Sequence, residues 1–154
     1  MTSTLMARYQ QLRDEVRQRT EEIATIGREA FHEMAQAVFV DHPILKAFRW
    51  AQYTPYFNDG DECTFSVREP HYRFSEVDEG NDNVVEEEDD WVSVYTWRYR
   101  DTPVIEPTPQ IRAALAVEAF IGQFEQEDLQ MFLGDHIEVV ITRDGVATED
   151  YYHE

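Results

Sequence analysis

The sequence predicts an α+β domain: an antiparallel sheet of about five strands, with a long N-terminal helix and a second helix packed on one face. Three observations predict it. Apolar residues recur at helical spacing through the first forty residues, short β-branched and aromatic runs follow, and a glycine-turned hairpin closes the chain. The order α, β, β, β, α, β, β places helices against a sheet built from hairpins. At 154 residues the chain fits a single domain, 1–154, large enough to bury a core among its twenty aromatic side chains.

Leu5, Tyr9, Leu12, Val16, Ile23, Ile26, Ala30, Met34 and Val38 recur at spacings of four and three, with Arg19 on the one missing beat. This predicts a helix over about 4–40, capped by Thr2, Ser3 or Thr4 and ended by Asp41–His42–Pro43. The apolar seam is expected to pack on the chain's own sheet. Its alternative partner is a second copy of itself, against which Arg19 and Gly27 count.

Beyond Pro43, AFRWAQY (47–53) reads as a first strand and TPYFNDGDE as a turn. In CTFSV, Cys63, Phe65 and Val67 alternate with Thr64, Ser66 and Arg68, and HYRF extends strand character to Phe74. Residues 75–90 form an acidic hairpin loop. WVSVYTWRYR (91–100) then predicts a central strand, with Trp91, Tyr95, Trp97 and Tyr99 on one face and Val92, Val94 and Thr96 on the other. Thr108 as cap and Pro109 at the first helical position open a second helix, about 108–125, and DLQMFL adds a further turn. The C-terminal hairpin, 136–152, turns at Arg143–Asp144–Gly145.

The net charge is −19, from 32 acids against 13 bases, of which only Lys46 is lysine. Such a balance excludes ordinary binding to nucleic acid or an anionic membrane, which both need cationic surface. It is also segregated. Residues 1–56 sum to zero, whereas residues 57–90 carry −11 and residues 101–154 carry −10. General adaptation to salt or genome composition would not leave the first third neutral. Nine acids crowd residues 76–90: Glu76, Asp78, Glu79, Asp82, Glu86, Glu87, Glu88, Asp89 and Asp90. As a solvated loop they merely repel one another through screened charge. In an extended segment Glu86, Glu88 and Asp90 would instead form a row about 6.6 Å apart, approaching phosphate spacing.

Chemical motifs are sparse. His32–Glu33 opens an HExxH pattern, but Gln36 stands where a second zinc-binding histidine is needed. Asn58, Asp59, Asp61 and Glu62 cluster four oxygen-bearing side chains around Gly60, which suits a weak cation site or, more simply, a tight turn. Cys63, the lone cysteine, falls in phase with Phe65 and Val67 as a buried thiol, with a pairing to His71 as the catalytic alternative. His136 and Glu138 are expected to share a strand face, and His42 and His153 are scattered. A single cysteine excludes an internal disulfide and points to a reducing compartment. The N-terminus lacks an apolar signal core, and no run approaches the roughly 18 apolar residues of a membrane span.

YTPYFNDGDECTFSV resembles a motif of small acidic proteins from phage and bacterial genomes, a group without an assigned activity. The likeness covers residues 48–67, with a looser one around FLGDHIEVVITRDG. It implies a phage-related protein and brings no cofactor or catalytic residue. Together these readings predict a cytoplasmic, non-enzymatic acidic binding protein without cofactors, inhibiting a basic DNA- or RNA-handling partner by nucleic-acid mimicry through the acids of 76–90 and the C-terminal third. The alternatives are an oligomeric structural or adaptor protein built on the N-terminal helix, and a calcium-stabilised module.

Overall fold

Ser3 begins the first element: its Oγ accepts the Met6 N–H at 3.0 Å, capping α1, which runs Thr4–Asp41. The computed structural model describes residues 3–56, 60, 62–76, 83–101 and 106–152, with Arg98 and Asp101 described by backbone alone. At 38 residues α1 extends roughly 57 Å, almost twice the length of any strand below it.

The chain then forms β1 (Leu45–Tyr53), β2 (Ser66–Val67), β3 (His71–Phe74), β4 (Val84–Glu86), β5 (Val92–Val94), α2 (Trp97–Asp101), α3 (Pro109–Gly122), α4 (Gln126–Leu133), β6 (Ile137–Thr142) and β7 (Gly145–Asp150). The class is α+β, and among the described residues the antiparallel sheet has seven strands rather than about five. Its order is β4-β5-β3-β1-β6-β7, with β2 paired to the last two residues of β1. The central strand is β1. Phe48 stands level with Tyr72 and Ile141, so all three point to one face, while Arg49, His71 and Val140 point to the other. The edges are protected: β4 has three residues, and the exposed end of β7 carries Glu149 and Asp150.

Two strand expectations fail. CTFSV is extended only at Ser66–Val67, and WVSVYTWRYR is strand only over Val92–Val94. The chain leaves the sheet at Thr96, whose buried hydroxyl donates to both carboxylate oxygens of Glu118 on α3, 2.6 and 2.8 Å away. The Tyr99 and Arg100 N–H groups both donate to the Thr96 carbonyl, which starts α2. A tertiary anchor thus overrides local β-propensity. Trp91 is buried, but Tyr95 and Trp97 are exposed rather than packed on a shared strand face.

The core joins one face of the sheet to the helices. Leu45, Phe48, Trp50, Tyr72, Val92, Ile137, Val139 and Ile141 meet Ala113, Ala114, Val117 and Phe120 of α3 and Leu129 of α4. From α1 only Phe31, Ala35, Val38 and Phe39 are buried. Phe31 is the hub, with ring centroids 5.1 Å from Phe120, 5.5 Å from Phe124 and 6.4 Å from Trp50. Contact with the body begins near Gly27, which lies directly against the Phe132 ring of α4 and leaves no space for a Cβ. That close approach explains a glycine inside a helix. Next to it Arg28 donates to the Met131 carbonyl at 3.3 Å.

The seam expected on the chain's own sheet therefore packs there only at its C-terminal end. Phe31→Ala should lower the unfolding free energy by about 3–5 kcal/mol, measured by urea denaturation. A loss below about 1 kcal/mol would mean that the helix is anchored elsewhere.

Candidate functional site

Every residue from Ser3 to Ile23 is exposed. Along this projecting segment Leu5 is 84% exposed, Tyr9 56%, Leu12 42%, Val16 56%, Ile23 50% and Ile26 63%, all on one stripe. Among the described residues its side-chain bonds are local. Arg8 donates to Gln11, Arg19 pairs with Glu22 at 2.9 Å and Arg17 with Asp14 at 3.5 Å. Exposed helical pairs of this kind contribute only about 0.3–0.5 kcal/mol each. Most helical stability in proteins comes from packing an apolar face, and this face stays exposed among the described residues. Among the described residues no helix is long and apolar enough to cross a membrane.

The second feature is the acidic run. Glu76 is exposed, its carbonyl accepting from Gln110 Nε2 at 3.1 Å. Glu86, Glu87, Glu88, Asp89 and Asp90 are all exposed. The expected row of Glu86, Glu88 and Asp90 does not form, because strand β4 stops at Glu86 and Glu88–Asp90 is one turn of 3-10 helix. Asp89 and Asp90 take positive φ of 57° and 67°, a left-handed pair that no extended row can contain. The turn is held from the open face of the sheet. Arg73 donates to the Asp89 carbonyl through Nε at 3.3 Å and Nη2 at 2.8 Å, and Ser93 Oγ donates to Glu87 at 3.0 Å. The Arg49 and Arg73 guanidinium carbons lie 4.3 and 4.2 Å from the ring of buried Trp91, a cation–π contact with each arginine. Lys46, Arg73, Phe74, Glu86, Glu87, Asp90 and Val92 line a cleft of about 290 Å³ here. Asp78, Glu79 and Asp82 lie outside the described residues.

The other candidates disperse. Asn58, Asp59 and Asp61 lie outside the described residues; Gly60 has φ of 87°, as a turn requires, and Glu62 is exposed. Among the described residues no three His, Cys, Asp or Glu side chains gather as a metal site. His32 and Glu33 are exposed, and Gln36 donates to the Thr142 carbonyl at 3.2 Å, tying α1 to the last hairpin. His42 is the C-cap of α1, and His153 lies outside the described residues. Half-buried Cys63 lines a groove with Thr54, Glu62, Phe65, Glu125 and Gln130, whereas His71 stands in β3 opposite Arg49. The shared strand face of His136 and Glu138 is also absent. His136 precedes β6 with φ of 55° and stacks on Tyr56 at 4.6 Å, while Glu138 pairs with Arg49 at 3.4 Å.

Two residues that sequence reasoning missed organise this end of the fold. Buried Gln52 accepts from Trp50 Nε1 at 2.9 Å and donates to the carbonyls of Leu129 and Gly134 at 3.1 and 2.7 Å. Asp135 accepts from the Thr54 N–H at 2.8 Å, the Thr54 hydroxyl at 2.7 Å, Gln130 at 3.1 Å and the His136 N–H at 2.8 Å. Partial burial pushes the Asp135 carboxyl upward, but the bonds from Thr54 and His136, with the nearby His136 ring, outweigh it and hold it below the usual aspartate range. On the far side Tyr72 donates to the Ala114 carbonyl at 3.4 Å; burial, then Glu118 and Glu69, raises its hydroxyl well above the ordinary tyrosine range. No single residue pattern marks Gln52 or Asp135, because the partners that tie them across the fold, Leu129 and Gly134 for Gln52 and Thr54 for Asp135, lie about eighty residues away in sequence.

Comparison with protein-family models, curated proteins and solved structures finds no match to this chain.

A lowered carboxyl pKa stabilises the fold above the unfolded value of about 3.9 and loses that contribution as pH falls through the folded value. Asp135→Asn should therefore be less stable than the parent at pH 7, with the difference shrinking as pH falls below about 4, measured by thermal melting. A pH-independent difference would show that the charge is not what matters. Gln52→Leu, which leaves the buried Trp50 indole N–H without its acceptor and takes a donor from the Leu129 and Gly134 carbonyls, should cost about 1–3 kcal/mol.

Proposed function

We propose that the protein is a non-enzymatic acidic adaptor that self-associates through α1 and presents its acidic body to a basic partner. The observation that carries this reading is the stripe from Leu5 to Ile26, exposed on a helix that outruns its own domain. Fully burying an aliphatic side chain of this size is worth about 1.5–3 kcal/mol. With the stripe about half exposed, two copies together gain on the order of 10–20 kcal/mol, against an association cost of roughly 4–15. Gain and cost are of similar size, which suits reversible, concentration-dependent pairing rather than an obligate complex. The neutral charge of residues 1–56 removes the repulsion that the rest of the chain would impose on such contact.

Nucleic-acid mimicry remains the second reading, favoured by one observation: five exposed acids sit on a turn fastened by Arg73 and Ser93 rather than on free chain. Fixed negative charge of this kind steers a cationic surface and weakens with salt. The resemblance to small phage proteins agrees with a target that handles nucleic acid.

Light scattering from about 1 to 200 µM, a range chosen to bracket micromolar affinity, should show mass rising from monomer toward oligomer. Leu12→Glu with Val16→Glu should hold it at monomer mass without changing the near-UV circular dichroism of the core. Monomer mass for the parent at every concentration would remove the adaptor reading. Reversing Glu86, Glu87 and Glu88 to lysine should abolish capture of a basic partner at low salt while leaving the mass profile unchanged; undiminished capture would remove the role given to this turn.

A further inference from the structure

We infer that α1 pairs antiparallel with α1 of a second copy, in the register that sets Leu12 level with Val16 of the other helix. The inference rests on the self-association proposed above and adds its geometry. Read as heptads, Tyr9, Val16 and Ile23 occupy one core position and Leu5, Leu12, Arg19 and Ile26 the other. Arg8, Glu15 and Glu22 flank the seam on one side, and Met6, Arg13 and Thr20 on the other.

Three constraints select the orientation. The first is Arg19, whose side chain is 78% exposed and, among the described residues, held only by Glu22. A parallel pair stacks Arg19 on its own copy inside the seam and sets Arg8 against Arg13, with no attractive pair between the helices in return. The antiparallel register places each Arg19 level with Tyr9 of the other chain, an arginine over an aromatic face, and each Arg8 beside Glu22. It also brings Glu15 and Arg13 each near its own copy, but on opposite flanks and at the solvent-exposed rim, where like charges are well screened.

The second constraint is the body. Residues 57–154 carry the whole net charge of −19. A parallel pair holds two such bodies side by side. The antiparallel pair puts them at opposite ends, with the two Gly27 positions roughly 39 Å apart along the axis from the rise of an α-helix. That is several Debye lengths at physiological salt, about 8 Å each.

The third is length. Within the unbroken exposed run, Ser3–Ile23, this register lays Leu5–Ile23 of one copy on the same segment of the other, with Leu5 level with Ile23. Ser3 of the second copy then lies level with Thr25, two residues short of Gly27, where Phe132 of α4 already occupies the helix surface. A longer overlap meets the body; a shorter one leaves Leu5 or Ile23 uncovered.

The test places a spin label at Thr25→Cys in a Cys63→Ser background, using full-length protein. Thr25 is exposed and lies off the seam. At concentrations where light scattering reports the dimer, pulsed electron resonance should read a label separation dominated by an axial offset of roughly 33 Å. A parallel dimer sets the two labels level, apart only by the roughly 8–10 Å between helix axes and the label arms. Dimer mass with the long distance supports the inference. Dimer mass with the short distance overturns the orientation and leaves self-association standing. Monomer mass throughout overturns both and assigns the stripe to a different protein, and a mass above dimer overturns the two-helix pairing.

Discussion

The contact of Phe31 with both layers of the body is what the rest of the structure depends on. Its ring meets Trp50 on the sheet and Phe120 and Phe124 at the end of α3, so one side chain sets where α1 joins the core and where it leaves. Toward the C-terminus Ala35, Val38 and Phe39 continue the contact down to the sheet. Toward the N-terminus the sheet has ended, and Gly27 against Phe132 is the last tight packing. A helix of 38 residues over strands of nine or fewer must project, whatever its sequence. The projecting part nevertheless keeps its apolar stripe, and a solvated helix has no physical need of one.

Charge divides the molecule along the same line. The projecting part of the helix, residues 3–26, is neutral and apolar on one side, whereas the body carries most of the acids. Within the body the few bases are concentrated where they hold structure. Arg49 and Arg73 lie on Trp91, Arg73 fastens the Asp89 turn, and Arg143 donates to the Pro43 carbonyl at 2.9 Å. With these arginines engaged internally and a net charge of −19 on residues 57–154, the field of the body is negative, which favours cationic partners and opposes close approach of two bodies. Contact through a neutral arm at a distance satisfies both conditions.

The elements with strong local signals were legible in the sequence. The 4–3 spacing located α1 to within a residue or two, Thr108–Pro109 marked the start of α3, and Gly145, with φ of 136°, marked the last turn. The acidic run was legible as composition but not as shape. Its extended row is replaced by a turn because Arg73, from β3, holds the Asp89 carbonyl, and Trp91, directly after the turn, is buried beneath Arg49 and Arg73. Trp97–Asp101 misled for the same reason: strand-forming residues follow Thr96 into a helical turn once Glu118 holds its hydroxyl.

By itself the sequence determined the α+β class, the long helix with its apolar stripe, and the separation of a neutral arm from an acidic remainder, because periodicity and charge are properties of neighbouring residues. Only the tertiary structure decided which part of the stripe is covered. Burial depends on where the sheet ends, where Phe31 meets α3 and how closely Phe132 approaches Gly27, and these contacts join residues about one hundred positions apart. The same stripe could have closed on its own sheet. The sheet is too short to cover it.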